Sequence, residues 1–378
     1  MFVKGTERKQ RVIQRAVMAV EPSVSLQQSY AIAAGDYLDK PMALRRHARM
    51  PRDGFGREID YLRISLIDHC NLRCVYCMPL TGLQFAPPSE LLTAAEIERL
   101  VRAAVAVGFR KFRLTGGEPT LRADLLEIVE RVAAVDGVRD VAMTTNGILL
   151  PRLATSLVEA GLRRVNIHID SLHPGRLQRV MRFGTAQEIW AGIEAAEAAG
   201  LRPLKLNTVV TLGFNDDDVV DMARLTLAHD WHVRFIELMP LGGGECARVA
   251  VSQFVSNVLT RARIEEALGS LTRVSGQHPS DESVNYRAPN ARGVVGFISP
   301  VSQPYCGACN RMRLTSDGKF HLCLLNDDEL DVRRAMRSGA SDLVLQQIVL
   351  QAVGAKPTGH RLDRGLSTED RSMYHLGG

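Results

Sequence analysis

From Tyr61 onward the chain switches regularly between two hydrophobic periods, a pattern that few folds accept. Apolar runs of strand length occupy Tyr61–Ile67, Lys111–Thr115, Val138–Thr144, Arg164–Ile169, Pro203–Val210 and His232–Leu238. Between them, Ala94–Val107, Leu125–Val135, Leu153–Ala160, Ala186–Ala199 and Asp217–His229 carry apolar residues at helical spacing. Strand, helix, strand at this pitch predicts βαβ units and a parallel sheet, hence an α/β fold. Gly108, Gly161 and Gly200 fall just past helices, where a left-handed cap is needed. Six units are fewer than the eight that close a full barrel, so the expectation is a partial (βα)6 TIM barrel. Periodicity leaves a flat, doubly wound sheet open as the alternative.

After Met239 the regime changes. Gly242–Gly244 interrupts the alternation, and shorter, more mixed elements follow before a helical run near Ser341–Val353. The expected organisation is a basic extension over 1–52, a partial barrel over 53–245 and a C-terminal region over 246–378. Residues 1–52 hold ten Lys/Arg against four acids, a charge of +6 within a chain of net +5, which leaves the remainder at −1. That balance argues against a basic face for nucleic acid. No apolar run is long enough to span a bilayer, and the basic start lacks the apolar stretch of a secretory signal. The expected location is the cytoplasm.

Seven cysteines fall in two clusters and a single: Cys70, Cys74 and Cys77; Cys246; Cys306, Cys309 and Cys323. An odd number without an export signal argues against a disulfide framework and for metal ligands. Cys70-x-x-x-Cys74-x-x-Cys77 puts three thiolates on one short loop after the first strand. Three thiolates can hold three corners of a cubane iron–sulfur cluster and leave the fourth iron open to a small molecule. A zinc knuckle with His69 is the alternative. Thr115-Gly116-Gly117-Glu118-Pro119 follows the second strand, and its glycines allow close backbone approach. The second group, Cys306-x-x-Cys309 with Cys323, is again three thiolates, and a zinc site completed by His321 stays open there. Beside it, Arg311 and Arg313 are two apart on an extended segment. They share a face, fit for bidentate contacts with phosphate.

The first cysteine spacing with Tyr76 inside it, followed by the Gly-Gly-Glu-Pro run, resembles the radical S-adenosylmethionine superfamily. The resemblance sharpens with Asp53-Gly-Phe-Gly-Arg57, Gly296-Phe-Ile-Ser-Pro-Val-Ser302, Cys306-Gly-Ala-Cys309-Asn-Arg-Met-Arg313-Leu-Thr315 and Gly377-Gly378. Together these resemble the GTP 3′,8-cyclase family of molybdenum-cofactor biosynthesis, over about residues 53–378. The resemblance implies two 4Fe–4S clusters, S-adenosylmethionine and GTP. In that family a 5′-deoxyadenosyl radical takes the ribose 3′ hydrogen, and the sugar radical then attacks C8 of guanine. It implies that Cys70, Cys74 and Cys77 hold the first cluster. Cys306, Cys309 and Cys323 hold the second, whose open iron meets the guanine. Tyr76, Gly117 and Met239 resemble S-adenosylmethionine contacts. Arg63, Arg113, Thr144, Lys205, Arg311, Met312 and Arg313 resemble GTP contacts.

Gly377 and Gly378 resemble the tail that enters the active site. His168 departs from the pattern, standing where the family has a small hydroxyl residue beside S-adenosylmethionine. Cys246 matches no ligand position. The implied partners are GTP, an electron donor and a downstream pterin-forming protein, with a homodimer left open and neither nucleic acid nor membrane expected. Two other readings remain: a peptide-modifying enzyme of the same superfamily with an auxiliary cluster, and a non-catalytic zinc-binding interaction protein.

Overall fold

The computed structural model describes residues 50–362, 368 and 371–377. Of the expected basic extension, positions 1–49 lie outside the described residues, as does Gly378 of the expected tail. The six expected strands are β1 (Tyr61–Ser65), β2 (Lys111–Thr115), β3 (Asp140–Thr145), β4 (Arg164–His168), β5 (Lys205–Val210) and β6 (His232–Glu237). Each pairs in parallel with the next. The first two crossovers carry α1 (Ala94–Ala106) and α2 (Leu125–Ala134). Then come α3 (Leu150–Glu159), the pair α4 (Pro174–Met181) and α5 (Ala186–Ala198), and α6 (Val219–Ala228). Thr93 and Thr185 open α1 and α5 with reciprocal capping boxes to Glu96 and Glu188, which meet otherwise unpaired N–H groups. Gly108, Gly161 and Gly200 do turn left-handed after their helices, at φ of 117°, 108° and 79°.

The sheet does not stop at six strands. Two segments of the C-terminal third extend it: β10 (Arg311–Leu314) pairs in parallel with β1, and β9 (Val294–Ile298) with β6. Beyond β10 lie β11 (Lys319–His321) and β12 (Glu329–Asp331); beyond β9 lie β8 (Val284–Arg287) and β7 (Thr272–Arg273), all antiparallel. The result is one sheet of twelve strands in the order β12-β11-β10-β1-β2-β3-β4-β5-β6-β9-β8-β7. Helices α7 (Gly244–Ser252) and α8 (Asn257–Leu268) connect β6 to β7, and α9 (Arg333–Arg337) and α10 (Asp342–Gly354) follow β12. Among the described residues no helix is long and apolar enough to cross a membrane.

One ion pair decides between a flat and a curled sheet. Arg63 on β1 meets Glu282, two residues before β8. On a flat sheet seven strand spacings separate β1 from β8, roughly 34 Å at about 4.8 Å each. The sheet therefore curls, as a partial barrel does. Strand alternation sorts the side chains. Leu62, Ile64, Phe112, Leu114, Val233 and Phe235 join the buried apolar core. Residues of the other parity, among them Arg63, Arg113, Asn166, Lys205 and Arg234, are polar and turn to the concave side. A full barrel fills that side with branched apolar layers. Here it is built from cations and amides, and that is where the site lies.

Candidate active site

The first cysteine loop runs from the end of β1 and is tied down on two sides. Arg73 and Val75 donate their backbone N–H groups to Met181 and Val180 at the end of α4, at 3.1 and 2.9 Å. On the other side Gly117 donates to Ile67 at 2.6 Å and Glu118 to His69 at 2.8 Å. A Cβ on Gly117 would run into the carbonyls of His69 and Asp68, so this glycine is required by the chain's own packing. Glu118 is buried and accepts hydrogen bonds from the Thr120 N–H (3.0 Å), Thr120 Oγ1 (2.6 Å), Thr145 Oγ1 (2.6 Å) and the Asn146 N–H (2.7 Å). Burial pushes its carboxyl up against those four donors. The Gly-Gly-Glu-Pro run is thus a brace between the cysteine loop and β3.

Burial raises all three thiols, Cys70 to about 11 and Cys74 and Cys77 further. Thiols so desolvated ionise when metal takes the proton's place, which fits a cluster held here. His69, the ligand of the zinc alternative, is stacked on Phe85 at 3.9 Å and bonded through Nδ1 to Asp68 at 2.9 Å. Tyr76 Oη donates to Asp170 Oδ2 at 2.7 Å and lies 2.7 Å from His168 Nε2, itself 2.9 Å from the same carboxylate. Burial alone would lower His168, but Asp170 raises it overall. The departure at His168 is therefore built into a three-residue clasp beside Cys74. Asp170 was not among the site residues expected from the sequence.

The second cysteine group is braced by the Asp53–Arg57 turn. Arg57 is clamped by Asp53 at 2.6 Å and donates to the carbonyls of Cys306 and Thr358 (both 2.8 Å) and Pro357 (2.5 Å). Lys356, also buried, donates to Leu322 at 2.7 Å, next to Cys323. Burial would raise Cys309, but the charges of Lys356 and Arg311 bring it below its ordinary value. Three thiolates on one short stretch and the hairpin after it can hold three corners of a 4Fe–4S cluster. His321 is fully buried with Nδ1 3.4 Å from Glu329.

Deeper in the barrel the cations converge. Arg311 and Arg234 lie 3.2 and 3.9 Å from Glu282, and Arg63 pairs with it. Arg113 donates to Tyr61 Oη and, at 3.3 Å, to Thr144 Oγ1. Burial and neighbouring positive charge lower Lys205 to about 7, Arg313 to about 9 and Arg234 to about 10. Arg63 Nε, Arg234 Nε and Arg311 Nη2 are buried donors with no partner among the described residues. Six cations around one carboxylate, with donors to spare, form a seat for a polyanion. Arg234 and Glu282 escaped the sequence reading. Arg234 could have been found, because it has the inward parity of Arg63 and Arg113 on its own strand.

A single cavity of about 280 Å³ joins these parts. All six clustered cysteines border it, with Tyr76, Gly117, His168 and Met239. Arg63, Thr144, Arg311, Met312 and Arg313 border it too. The Met312 side chain alternates outward and packs in the core. Arg113 and Lys205 do not border the cavity, though Arg113 bonds Thr144, which does. Gly377 sits behind it, its carbonyl accepting from Arg313. Cys246 is buried on α7 and does not border the cavity.

Residues 64–226 match the radical SAM superfamily, and residues 231–362 match the family Molybdenum Cofactor Synthesis C. A GTP 3′,8-cyclase of Heliobacterium modesticaldum is 46% identical over 331 residues, which cover 86% of this chain and 99% of that one. The chain belongs to the GTP 3′,8-cyclase family. A GTP 3′,8-cyclase of Moorella thermoacetica is 43% identical over 333 residues, 86% of this chain and all of that one. Among solved structures, Streptococcus suis SuiB bound to S-adenosylmethionine superposes with a TM-score of 0.55. At 13% identity, over 72% of this chain and 63% of SuiB, that likeness concerns the fold alone. The cofactors of the GTP 3′,8-cyclase family are two 4Fe–4S clusters and S-adenosylmethionine, and two three-thiol loops on one cavity fit that set.

Proposed function

We propose that the chain is a radical S-adenosylmethionine lyase that converts GTP to (8S)-3′,8-cyclo-7,8-dihydroguanosine 5′-triphosphate, the first step of molybdenum-cofactor biosynthesis. The observation that carries it is the shared cavity: two three-cysteine loops border one space, and an excess of buried cations lies beside it. On this reading Cys70, Cys74 and Cys77 hold the cluster that takes S-adenosylmethionine, with Tyr76, Gly117, His168 and Met239 around that cofactor. Cys306, Cys309 and Cys323 hold the cluster that meets guanine. When bound, the first cluster and S-adenosylmethionine supply the radical that removes the ribose 3′ hydrogen before the sugar carbon bonds to C8.

The chain's own part is placement. Arg63, Arg311 and Arg313 hold the phosphates with Arg113 and Lys205 adding charge from outside the cavity lining, Thr144 and Met312 border the nucleotide, and the C-terminal tail at Gly377 reaches the active site. Fixing one end of the nucleotide by phosphate and the other by its base leaves the ribose little freedom. Substrate and cofactor filling the cavity also keep water and stray hydrogen donors from the reaction. No side chain is needed as an acid or base for the hydrogen abstraction. Residues 53–245 form the partial barrel that takes S-adenosylmethionine and supplies part of the GTP seat, and 246–378 bring the second cluster and the rest of that seat. An electron donor supplies reducing equivalents, and a pterin-forming protein takes the product, in the cytoplasm.

The test is turnover by anaerobically reconstituted protein carrying about eight iron per chain. With GTP, S-adenosylmethionine and a reductant it should consume GTP and release 5′-deoxyadenosine in step. Fully loaded protein that leaves GTP untouched would overturn the reading.

A further inference from the structure

Glu282 is an acid in the wrong place for a phosphate seat. Its segment, between β7 and β8, reads Ser275-Gly-Gln-His-Pro-Ser-Asp281 before it, and most of those residues are exposed. Yet its carboxylate turns inward, 17% exposed, and reaches Arg63, Arg311 and Arg234, which stand on three different strands. Arg113, Lys205 and Arg313 also feel its charge. It leaves the seat incompletely served, because Arg63 Nε, Arg234 Nε and Arg311 Nη2 stay buried without a partner among the described residues. A carboxylate has two oxygens; a triphosphate has many more and several negative charges, and guanidinium forks match phosphate well.

We propose that Glu282 is an internal counter-ion that occupies the triphosphate seat in the free enzyme and is displaced by the phosphates of the incoming nucleotide. The inference rests on the cyclase reading only in taking the nucleotide to be a triphosphate. The physical case has two halves. Without an acid inside, six buried or half-buried cations would repel one another at close range, so the empty barrel needs a negative charge of its own. With the triphosphate in place the same carboxylate would oppose it. Glu282 lies on a hairpin connection and takes no part in the sheet's ladder, so it can withdraw to solvent without unpairing a strand. Glu282 thus lends the free protein stability and lowers its affinity for every triphosphate that must evict it.

The experiment uses anaerobic, cluster-loaded full chain and three probes: inorganic tripolyphosphate, GTP and guanosine. Glu282→Gln keeps the size and hydrogen-bonding shape of the side chain and removes its charge. It should tighten tripolyphosphate and GTP by about tenfold and leave guanosine within about twofold. Free Glu282→Gln protein should melt below wild type, and tripolyphosphate should raise its melting temperature by more. Glu282→Asp, which withdraws the charge by one methylene, should fall between. In wild type, tripolyphosphate should speed hydrogen exchange in residues 275–283 as the carboxylate leaves. Unchanged or weaker tripolyphosphate binding in Glu282→Gln would overturn the proposal, as would slower or unchanged exchange in that segment. If tripolyphosphate tightens as expected but GTP binds to neither protein, the role of Glu282 stands and the cyclase reading falls.

Discussion

Arg313 donates through Nη1 to the carbonyl of Gly377, and at 3.3 Å to that of Leu376, so a cation of the barrel interior also fastens the C-terminal segment. The rest of that segment is anchored by Arg371, which bonds Asp317 at 2.8 Å and Glu329 at 2.9 Å. Gly377 is left-handed at φ 75°, and a Cβ there would collide with Thr115 Cγ2 and stand 3.1 Å from the Gly116 nitrogen. Gly377→Ala should therefore unseat the tail, because both backbone conformation and space forbid the methyl. We expect about a 10²-fold loss of turnover through misplacement of substrate, with iron content unchanged. Equal turnover in the variant would show that the tail's seat is not needed.

The two cysteine groups should load independently. Cys323→Ser should lower iron from about eight to about four per chain and abolish GTP turnover. The electron-paramagnetic signature of the first cluster with S-adenosylmethionine should survive. Retention of the full iron content would mean that Cys323 is not a ligand.

Lys205 gives a pH signature. Burial first, then the charges of Arg234, Arg164 and Arg113, bring it from its ordinary 10.5 to about 7. In a folded protein this lysine costs stability below pH 7, and the penalty fades as pH rises toward 10.5. A bound triphosphate restores its proton. GTP binding at pH 8 should thus take up close to one proton, and affinity should weaken as pH rises above 7. Calorimetry in two buffers of different ionisation enthalpy measures the uptake, and Lys205→Met should remove it.

Arg57 carries an unusual share of the second loop. Its side chain is 7% exposed and its partner Asp53 fully buried. Arg57→Ala leaves that carboxylate without its counter-charge and takes a donor from the carbonyls of Pro357, Thr358 and Cys306, the last keeping the Cys309 N–H at 3.1 Å, at a cost of about 3–5 kcal/mol. Arg57→Lys cannot span the same carbonyls and should restore little. Thermal melts of the loaded protein, read alongside iron content, should show the second cluster lost before the first. A melting temperature equal to wild type would mean that the turn is not a brace.

Much of the framework is legible because its signals are local. The helical spacing of Ala94–Val107 needs no partner to be recognised, and the helix over Ala94–Ala106 follows it closely. The same holds for both cysteine triads, whose ligands lie within a few residues of one another or on one hairpin. Pairing across the chain is not local. Nothing in the all-apolar run Val294–Ile298 names β6 as its neighbour, and Arg311–Leu314 does not announce β1. Met312 shows the limit of reading motifs whole, since alternation sends its side chain away from the two arginines that flank it. Glu282 shows the other limit. In sequence it belongs to a polar turn, and only the curl of the sheet brings that turn over the arginines.

A nascent chain that has emerged from the ribosome only as far as Glu237 has made β1 to β6 and carries a bare parallel edge on each flank. Those edges wait for β9 and β10, which come from the last third of the sequence. Exposed parallel edges invite aggregation, so synthesis passes through a sticky interval in which chaperone cover is needed. Fragments ending before Val294 would keep both edges open and should collect in inclusion bodies.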